Sequence, residues 1–141
     1  MTRLLLAFAH LVPLFAAAPA TGQDEIGDVV IVCPIEGMID EGIAVIVERA
    51  VEEANEKGAK ALIFRIDTPG GRVDSAVKIA SAIQRSRTLT IAYIEGMGAI
   101  SAGALISMAC DEIVMAPGSN IGAAAPVIPT AEGMQPTGEK E

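Results

Sequence analysis

Ser101 is the residue of this sequence best placed to act as a nucleophile. It follows the glycine-containing run Gly96-Met-Gly98 and opens the apolar segment 101–109, which predicts a short buried helix. The first N–H groups of a helix have no intrahelical partner, so the N–H of Ala102 could stabilise a developing oxyanion. The alternative is that Ser101 only caps the helix, a common role for serine.

Gly70 and Gly71 form a second feature that could take part in chemistry. They end the run Asp67-Thr-Pro-Gly-Gly71, which follows an apolar strand and predicts a sharp turn. Two glycines expose backbone N–H groups and let another chain approach closely. The turn would suit an oxyanion donor or the capture of an extended peptide, and an ordinary strand-to-helix connection is the alternative.

The choice of general base is narrow because the sequence has one histidine, His10, inside a predicted targeting segment. Without that segment, neither a Ser-His-Asp triad nor a histidine-rich metal site can form within the chain. A lysine can replace histidine where burial lowers its pKa and populates the neutral amine. Spacing does not select among the other lysines: Lys57 and Lys60 flank a helix end, Lys78 falls on the outer side of its helix, and Lys140 lies in a polar tail.

Composition excludes several classes of protein. The net charge of −8 argues against a nucleic-acid-binding protein, which normally presents a basic face, and 3% aromatic residues argue against base stacking. The carboxylates have no metal-ligand spacing, and no phosphate-binding glycine motif is present, so we expect no cofactor and no metal. Cys33 and Cys110 lie in apolar surroundings and are predicted to be buried free thiols, with a disulfide as the alternative.

The two ends of the chain look unlike the rest. Residues 1–20 predict a secretory signal peptide, because Arg3 precedes the apolar stretch 4–18 and Ala18-Pro-Ala20 offers a cleavage site. An uncleaved N-terminal anchor is the alternative. The polar run 137–141 closes no helix or strand, so we expect a fragment of a longer protein, with a naturally frayed tail as the alternative.

The segments between the ends alternate in type, which predicts a parallel α/β sheet. Apolar runs suggest both sheet faces are covered, and chemistry in such sheets collects where strands end. Predicted strands are 28–35, 61–66, 89–94 and 113–116; predicted helices are 41–57, 73–85 and 101–109. The second helix is expected to turn inward Val73, Ala76, Val77, Ala80 and Ile83.

Three segments together resemble a known family: Asp67-Thr-Pro-Gly-Gly71, Gly98-Ala-Ile-Ser-Ala-Gly103 and Met115-Ala-Pro-Gly-Ser-Asn-Ile-Gly122. In this order and at these separations they look like NfeD-type membrane-bound serine proteases, of the Clp protease and signal-peptide-peptidase A group. The resemblance covers about residues 28–141. It implies an α/β fold, the ClpP- and crotonase-like spiral of β-β-α units with a mainly parallel sheet, in a protease domain over 21–141 that is incomplete at its C-terminus.

The resemblance also implies roles for individual residues. Ser101 matches the nucleophile of the family. Gly70 and Gly71 match the glycine pair that supplies one oxyanion donor, with Gly71 the better candidate, and the N–H of Ala102 matches the second donor. The family uses a Ser-Lys dyad, and Lys140 matches the lysine that follows the segment Ile121-Gly-Ala-Ala-Ala-Pro126.

The activity implied is that of a serine endopeptidase cleaving hydrophobic segments of membrane-associated proteins, with stomatin-like partners. We expect a homo-oligomer, a dimer or larger, with an exported, extracytoplasmic protease domain that is membrane-associated in the full-length protein. Two rival functions stay open: a non-catalytic scaffold that binds apolar peptides in the same groove, and, less favoured, a crotonase-like acyl-CoA enzyme.

Overall fold

A parallel sheet and the three helices that connect its first four strands form most of the described part of the chain. The computed structural model describes residues 29–125, together with the backbone of 127–130 and 133–136. The main sheet has the order β1-β2-β3-β4, and the short β5 pairs in parallel with the end of β3. The elements are β1 (Val30–Ile39), α1 (Glu41–Lys57), β2 (Ala61–Gly71), α2 (Val73–Gln84), β3 (Leu89–Ile100), α3 (Ala102–Met108), β4 (Glu112–Met115) and β5 (Ile121–Gly122), followed by an antiparallel pair, β6 (Val127–Thr130) and β7 (Gly133–Pro136). The predicted α/β class with a mainly parallel sheet is therefore confirmed.

Helix α1 begins and ends where its sequence signals predict. Asp40 is extended at φ −140°, and its carboxylate accepts a hydrogen bond of 3.0 Å from the N–H of Ile43, which satisfies one free donor of the first turn. Gly58 ends the helix in the left-handed conformation at φ 58°, which glycine adopts without steric cost. Both signals are local, so the bounds could be predicted from the sequence.

One face of the sheet carries the hydrophobic core. Leu62, Phe64 and Ile66 of β2 are fully buried there beneath the three helices. Alternate residues of β1, such as Val30 and Val32, point to the opposite face and are about half exposed. The expectation that both faces are covered is not met within residues 29–125, where all three helices pack into the single core on one face.

The buried face of α2 differs from the predicted one. Val73 and Val77 were expected to face inward but are exposed, and Ser75 and Ile79 are buried in their place. The helix packs against both α1 and α3, so the stripe it buries is centred between these neighbours and not on its most apolar residues. As a result, Val73 is exposed at the end of the sheet where Ser101 lies.

Three strands run further than predicted: β1 ends at Ile39 and not at residue 35, β2 ends at Gly71, and β3 ends at Ile100. The run Asp67–Gly71 was expected to be a sharp turn, but it continues β2, and β3 likewise continues past Gly96–Gly98 to Ile100. The registers shift between Glu36 and Met38 in β1 and between Ile66 and Thr68 in β2. Such bulges bend a strand without ending it, and they re-aim the residues that follow.

Candidate active site

Ser101 is the single residue between the end of β3 and the start of α3, and its backbone is strained. It lies at φ 54° and ψ −113°, a conformation that side-chain-bearing residues rarely adopt. Its N–H donates to the carbonyl of Gly122 at 2.7 Å, which helps to hold this geometry. Its side chain makes no capping hydrogen bond to α3. The interpretation of Ser101 as a simple helix cap therefore fails, and strain of this kind is typical of functional positions.

Ser101 lines an apolar cleft of about 260 Å³, which we call the Ser101 cleft. All its other lining residues are apolar: Val73, Ala76, Ala102, Leu105, Met108 and Ala124. Val73 and Met108 are 59% and 66% exposed, so large apolar side chains stand open at this end of the molecule. Open apolar surface beside a polar group is a common property of binding sites.

Gly70 lies directly against Ser101. A Cβ built on Gly70 would come within 2.7 Å of the Cβ of Ser101 and 2.9 Å of the carbonyl oxygen of Ile100, so a side chain here would displace the serine. Gly70 also has φ +105°, in the region that favours glycine. The structure thus brings together two of the residues selected from the sequence, although they are 31 positions apart.

Gly71 and Ala102 are the residues that follow Gly70 and Ser101 in the chain. A Cβ on Gly71 would overlap the backbone of Ile39, so Gly71 is pressed against β1. The next N–H, that of Arg72, donates to the carbonyl of Ile39 at 2.8 Å. Ala102 is buried and is the first residue of α3, where N–H groups lack intrahelical acceptors.

Thr68 is a residue of the site that the sequence analysis did not single out. It is fully buried, and its hydroxyl donates to the carbonyl of Gly37 and accepts from the N–H of Gly70 at 3.0 Å. Its methyl group fills the space beside Gly103, where an added Cβ would approach it to 2.5 Å. The available signal was a polar, β-branched residue at the end of an apolar strand.

The segment after β4 supports the site from the other side. The carbonyl of Asn120 accepts from the N–H of Ala99 at 2.8 Å, just as that of Gly122 accepts from Ser101. A side chain on Gly98 would overlap the backbone of Asn120, so these two segments touch. The segment 115–122, the third motif of the sequence, therefore binds the end of β3 just before α3 begins.

None of the lysines in the described part of the chain lines the Ser101 cleft. Lys78 is exposed as predicted and contacts the carboxylate of Glu41 at 2.7 and 2.8 Å, which raises the pKa of the lysine and keeps it charged. Lys57 forms an ion pair with Glu53 one turn earlier, and Lys60 is exposed near the start of β2. Lys140 lies outside the described residues.

Both cysteines are free, as predicted, and neither is activated. Cys33 belongs to β1 and is buried in the core, and desolvation raises its pKa to about 11. Cys110 follows α3, and desolvation together with the nearby charge of Asp111 raises its pKa to about 12. The thiolate is the nucleophilic form, so these pKa shifts disfavour a cysteine mechanism at neutral pH.

The described residues show neither a metal-binding cluster nor a membrane-spanning helix. Within residues 29–125 there is no group of three or more histidine, cysteine or acidic side chains that could hold a metal ion. Among the helices that the structure describes, none combines the length and apolar character needed to cross a membrane.

Comparison with known proteins identifies the family. Residues 29–140 match the family model of the NfeD1b N-terminal domain. The chain belongs to this family. The match begins just before β1 and includes Lys140.

Two curated proteins are similar in sequence. Over 96 residues, 68% of this chain and 22% of the relative, it is 41% identical to membrane protein NfeD1b of Bacillus subtilis (strain 168). Over 130 residues, 91% of this chain and 28% of the relative, it is 35% identical to the membrane-bound protease PH1510 of Pyrococcus horikoshii (strain OT-3). The chain spans about a quarter of the length of these relatives.

Solved structures give the same family and fold. A lysine-to-alanine mutant of the 1510-N membrane-bound stomatin-specific protease, in complex with a substrate peptide, has a TM-score of 0.72 and 34% identity, covering 79% of this chain and 52% of that one. A serine-to-alanine mutant of the same protease also has a TM-score of 0.72. Listeria monocytogenes ClpP1, at 21% identity and a TM-score of 0.53 over 60% of this chain and 48% of that one, supports the ClpP-like fold alone.

Proposed function

We propose that this chain is the protease domain of a serine endopeptidase with Ser101 as its nucleophile. The observation that carries the proposal is the geometry of Ser101: a strained serine between strand and helix, with an uncapped hydroxyl at an apolar cleft. A nucleophile on a strained strand-to-helix connection stands clear of the sheet and beside N–H groups of a helix. The similarity to a protease studied as a serine-to-alanine mutant points the same way.

Gly71 and Ala102 are the proposed oxyanion donors. Along an extended strand successive N–H groups point to opposite sides. The N–H of Arg72 donates to the carbonyl of Ile39 in β1, and we propose that the preceding N–H, that of Gly71, points away from β1 toward Ser101. The N–H of Gly70 already donates to Thr68, which favours Gly71 of the pair. Each such donor is worth roughly 3 kcal/mol to the transition state.

Lys140 is the proposed general base, a role that rests on the family resemblance and on the lysine-to-alanine mutant of the similar protease. As a neutral amine, Lys140 takes the proton from the hydroxyl of Ser101, and the oxygen attacks the peptide carbonyl. The resulting ammonium gives that proton to the leaving amine as the C–N bond breaks. Water then gives a proton to the neutral amine of Lys140 and attacks the acyl carbonyl. As the ester C–O bond breaks, the Lys140 ammonium returns the proton to the oxygen of Ser101, and the carboxylic acid product leaves.

The substrates we propose are hydrophobic segments of membrane-associated, stomatin-like proteins. The lining of the Ser101 cleft is apolar apart from the serine, so an apolar side chain would bind there and a charged one would lose its hydration without a partner. The relative solved with a peptide is described as stomatin-specific. We further propose that residues 1–20 are a signal peptide and that 21–141 act as an extracytoplasmic domain in a homo-oligomer, membrane-associated in the full-length protein.

The test is hydrolysis of an apolar peptide taken from a stomatin-like protein. The full-length protein is compared with its Ser101→Ala and Lys140→Ala variants, and we expect kcat to fall at least a thousandfold in each. Ser81→Ala and Lys57→Ala are the matched controls, because both residues lie on helices away from the cleft, and they should keep kcat within twofold.

Unchanged hydrolysis in either active-site variant would reject the dyad. A scaffold is distinguished in the same experiment. It would bind the apolar peptide with equal affinity in wild type and Ser101→Ala, release no cleaved product, and leave Ser101 unlabelled by a fluorophosphonate.

A further inference from the structure

Among the residues that the structure describes, Thr68 has a buried hydroxyl that contacts both the Gly70–Gly71 end of β2 and the bulge of β1. It is fully buried, donates to the carbonyl of Gly37 and accepts from the N–H of Gly70. A hydroxyl has a single proton, so donation to Gly37 leaves its lone pairs directed at Gly70. One side chain thus ties the turn beside Ser101 to the neighbouring strand.

A hydrogen bond to Thr68 restrains the Gly70–Gly71 peptide in addition to its pairing with β1. Gly70 and Gly71 have no side chains that could fix their orientation, and glycine has the widest conformational freedom of any residue. The hydrogen bond from Gly70 to Thr68 removes that freedom at one point. Because Gly70 is in contact with Ser101, a rotation of this peptide would move the N–H of Gly71 relative to the nucleophile.

We propose that Thr68 is a positioning residue for the Gly70–Gly71 end of β2, acting through its hydroxyl on the peptide between these two glycines. This inference rests on the proposed protease function. It assigns Thr68 no contact with substrate. Its role is to keep the N–H of Gly71 free and oriented while the N–H of Gly70 is occupied.

Thr68→Val and Thr68→Ser separate the hydroxyl from the methyl group. Valine keeps the shape that packs against Gly103 and loses both hydrogen bonds, whereas serine keeps the hydroxyl and loses the methyl. Thr90→Val is the matched control. Thr90 is also a buried threonine in a central strand, and its hydroxyl donates to Asp111 at 2.7 Å, near the opposite end of β3.

In the full-length protein we expect Thr68→Val to lower kcat for the apolar peptide about thirtyfold, less than the loss of a whole oxyanion donor, with KM changed less than twofold. Thr68→Ser should restore kcat to within threefold of wild type. Thr90→Val should leave kcat within twofold, although its melting temperature falls as far as that of Thr68→Val. Amide hydrogen exchange at Gly70 should accelerate at least tenfold in Thr68→Val alone.

Three outcomes would overturn the proposal: an unchanged kcat in Thr68→Val, a Thr68→Ser variant as impaired as Thr68→Val, or an equal loss of kcat in Thr90→Val. Failure of the protease function looks different, since wild type would then neither cleave the peptide nor react with a fluorophosphonate. In that case the amide hydrogen exchange rate of Gly70 is the only test of the role of Thr68. Unaltered exchange in Thr68→Val would show that the hydroxyl does not hold the turn.

Discussion

Helices α1 and α3 begin in opposite ways. At the start of α1, Asp40 has an ordinary extended backbone and uses its carboxylate to cap the helix. At the start of α3, Ser101 has a backbone that few residues other than glycine adopt, and its hydroxyl caps nothing. Each position holds a residue type that is favoured at helix starts, so only the geometry separates a structural cap from a candidate nucleophile.

The strained backbone of Ser101 at the start of α3 is maintained by its tertiary contacts. Gly70 leaves room for the side chain of Ser101, and the carbonyl of Gly122 holds its N–H. At α1 no tertiary support of this kind is needed, because the cap and the residue it contacts are three positions apart. Breaking the support should therefore affect α3 much more than removal of a cap affects α1.

Gly70→Ala is expected to have the largest effect. The added Cβ would collide with Ser101 and with the carbonyl of Ile100, in a backbone conformation unfavourable for alanine. We expect a loss of about 3 kcal/mol in the free energy of unfolding and no detectable peptide hydrolysis. Urea denaturation and peptide cleavage of the full-length variant measure both.

Gly118→Ala is the control for Gly70→Ala, because Gly118 also has a positive φ but an added Cβ would meet nothing within 4 Å. It should cost about 1 kcal/mol, the backbone term alone. Equal destabilisation by the two variants would mean that contact with Ser101 does not constrain residue 70.

Ser101→Gly tests whether the serine backbone is strained. Glycine tolerates φ 54° and ψ −113°, so this variant should be more stable than wild type by about 1 kcal/mol while losing peptide hydrolysis. Ser101→Ala keeps the strain and should have nearly wild-type stability. Chemical denaturation of the three proteins side by side gives the difference. A glycine variant less stable than the alanine variant would contradict stored strain at α3.

Asp40→Ala makes the corresponding change at α1. The lost cap should lower the free energy of unfolding by about 1 kcal/mol and leave kcat within twofold, because Asp40 serves the helix alone. Asp40→Ser keeps a capping oxygen and should recover most of the stability in thermal denaturation. If Asp40→Ala instead abolished hydrolysis, the two helix starts would not differ in function as proposed.

The same contrast explains which features could be predicted from the sequence. The bounds of α1 and the alternation of strands and helices follow from caps and apolar periodicity, which act over a few residues. The extended course of Asp67–Gly71 could not, because it depends on pairing with β1 across a bulge. The strain at Ser101 and the hydrogen bond from Thr68 to Gly37 likewise depend on residues 21 to 31 positions away.

Alkylation of the cysteines is expected to have the smallest effect on activity. Ser101 begins the helix and Cys110 follows its end, and burial raises the pKa of Cys110 to about 12 and that of Cys33 to about 11. Iodoacetamide at pH 8 should therefore modify both thiols slowly in the folded protein and leave hydrolysis unchanged, whereas a fluorophosphonate should abolish it. Loss of activity in step with alkylation would assign the chemistry to a cysteine.

These raised pKa values also fix the sign of one pH dependence. An unfolded thiol ionises near its usual pKa of 9.0, before the folded thiols do, so the unfolded state binds fewer protons between pH 9 and 11. The thiol contribution to the free energy of unfolding should be constant below about pH 8.5 and should decrease as pH rises above 9. Urea denaturation across this range measures it, and a Cys33→Ala/Cys110→Ala variant should lose that part of the slope. An unchanged slope would show that the thiols titrate alike in the folded and unfolded states.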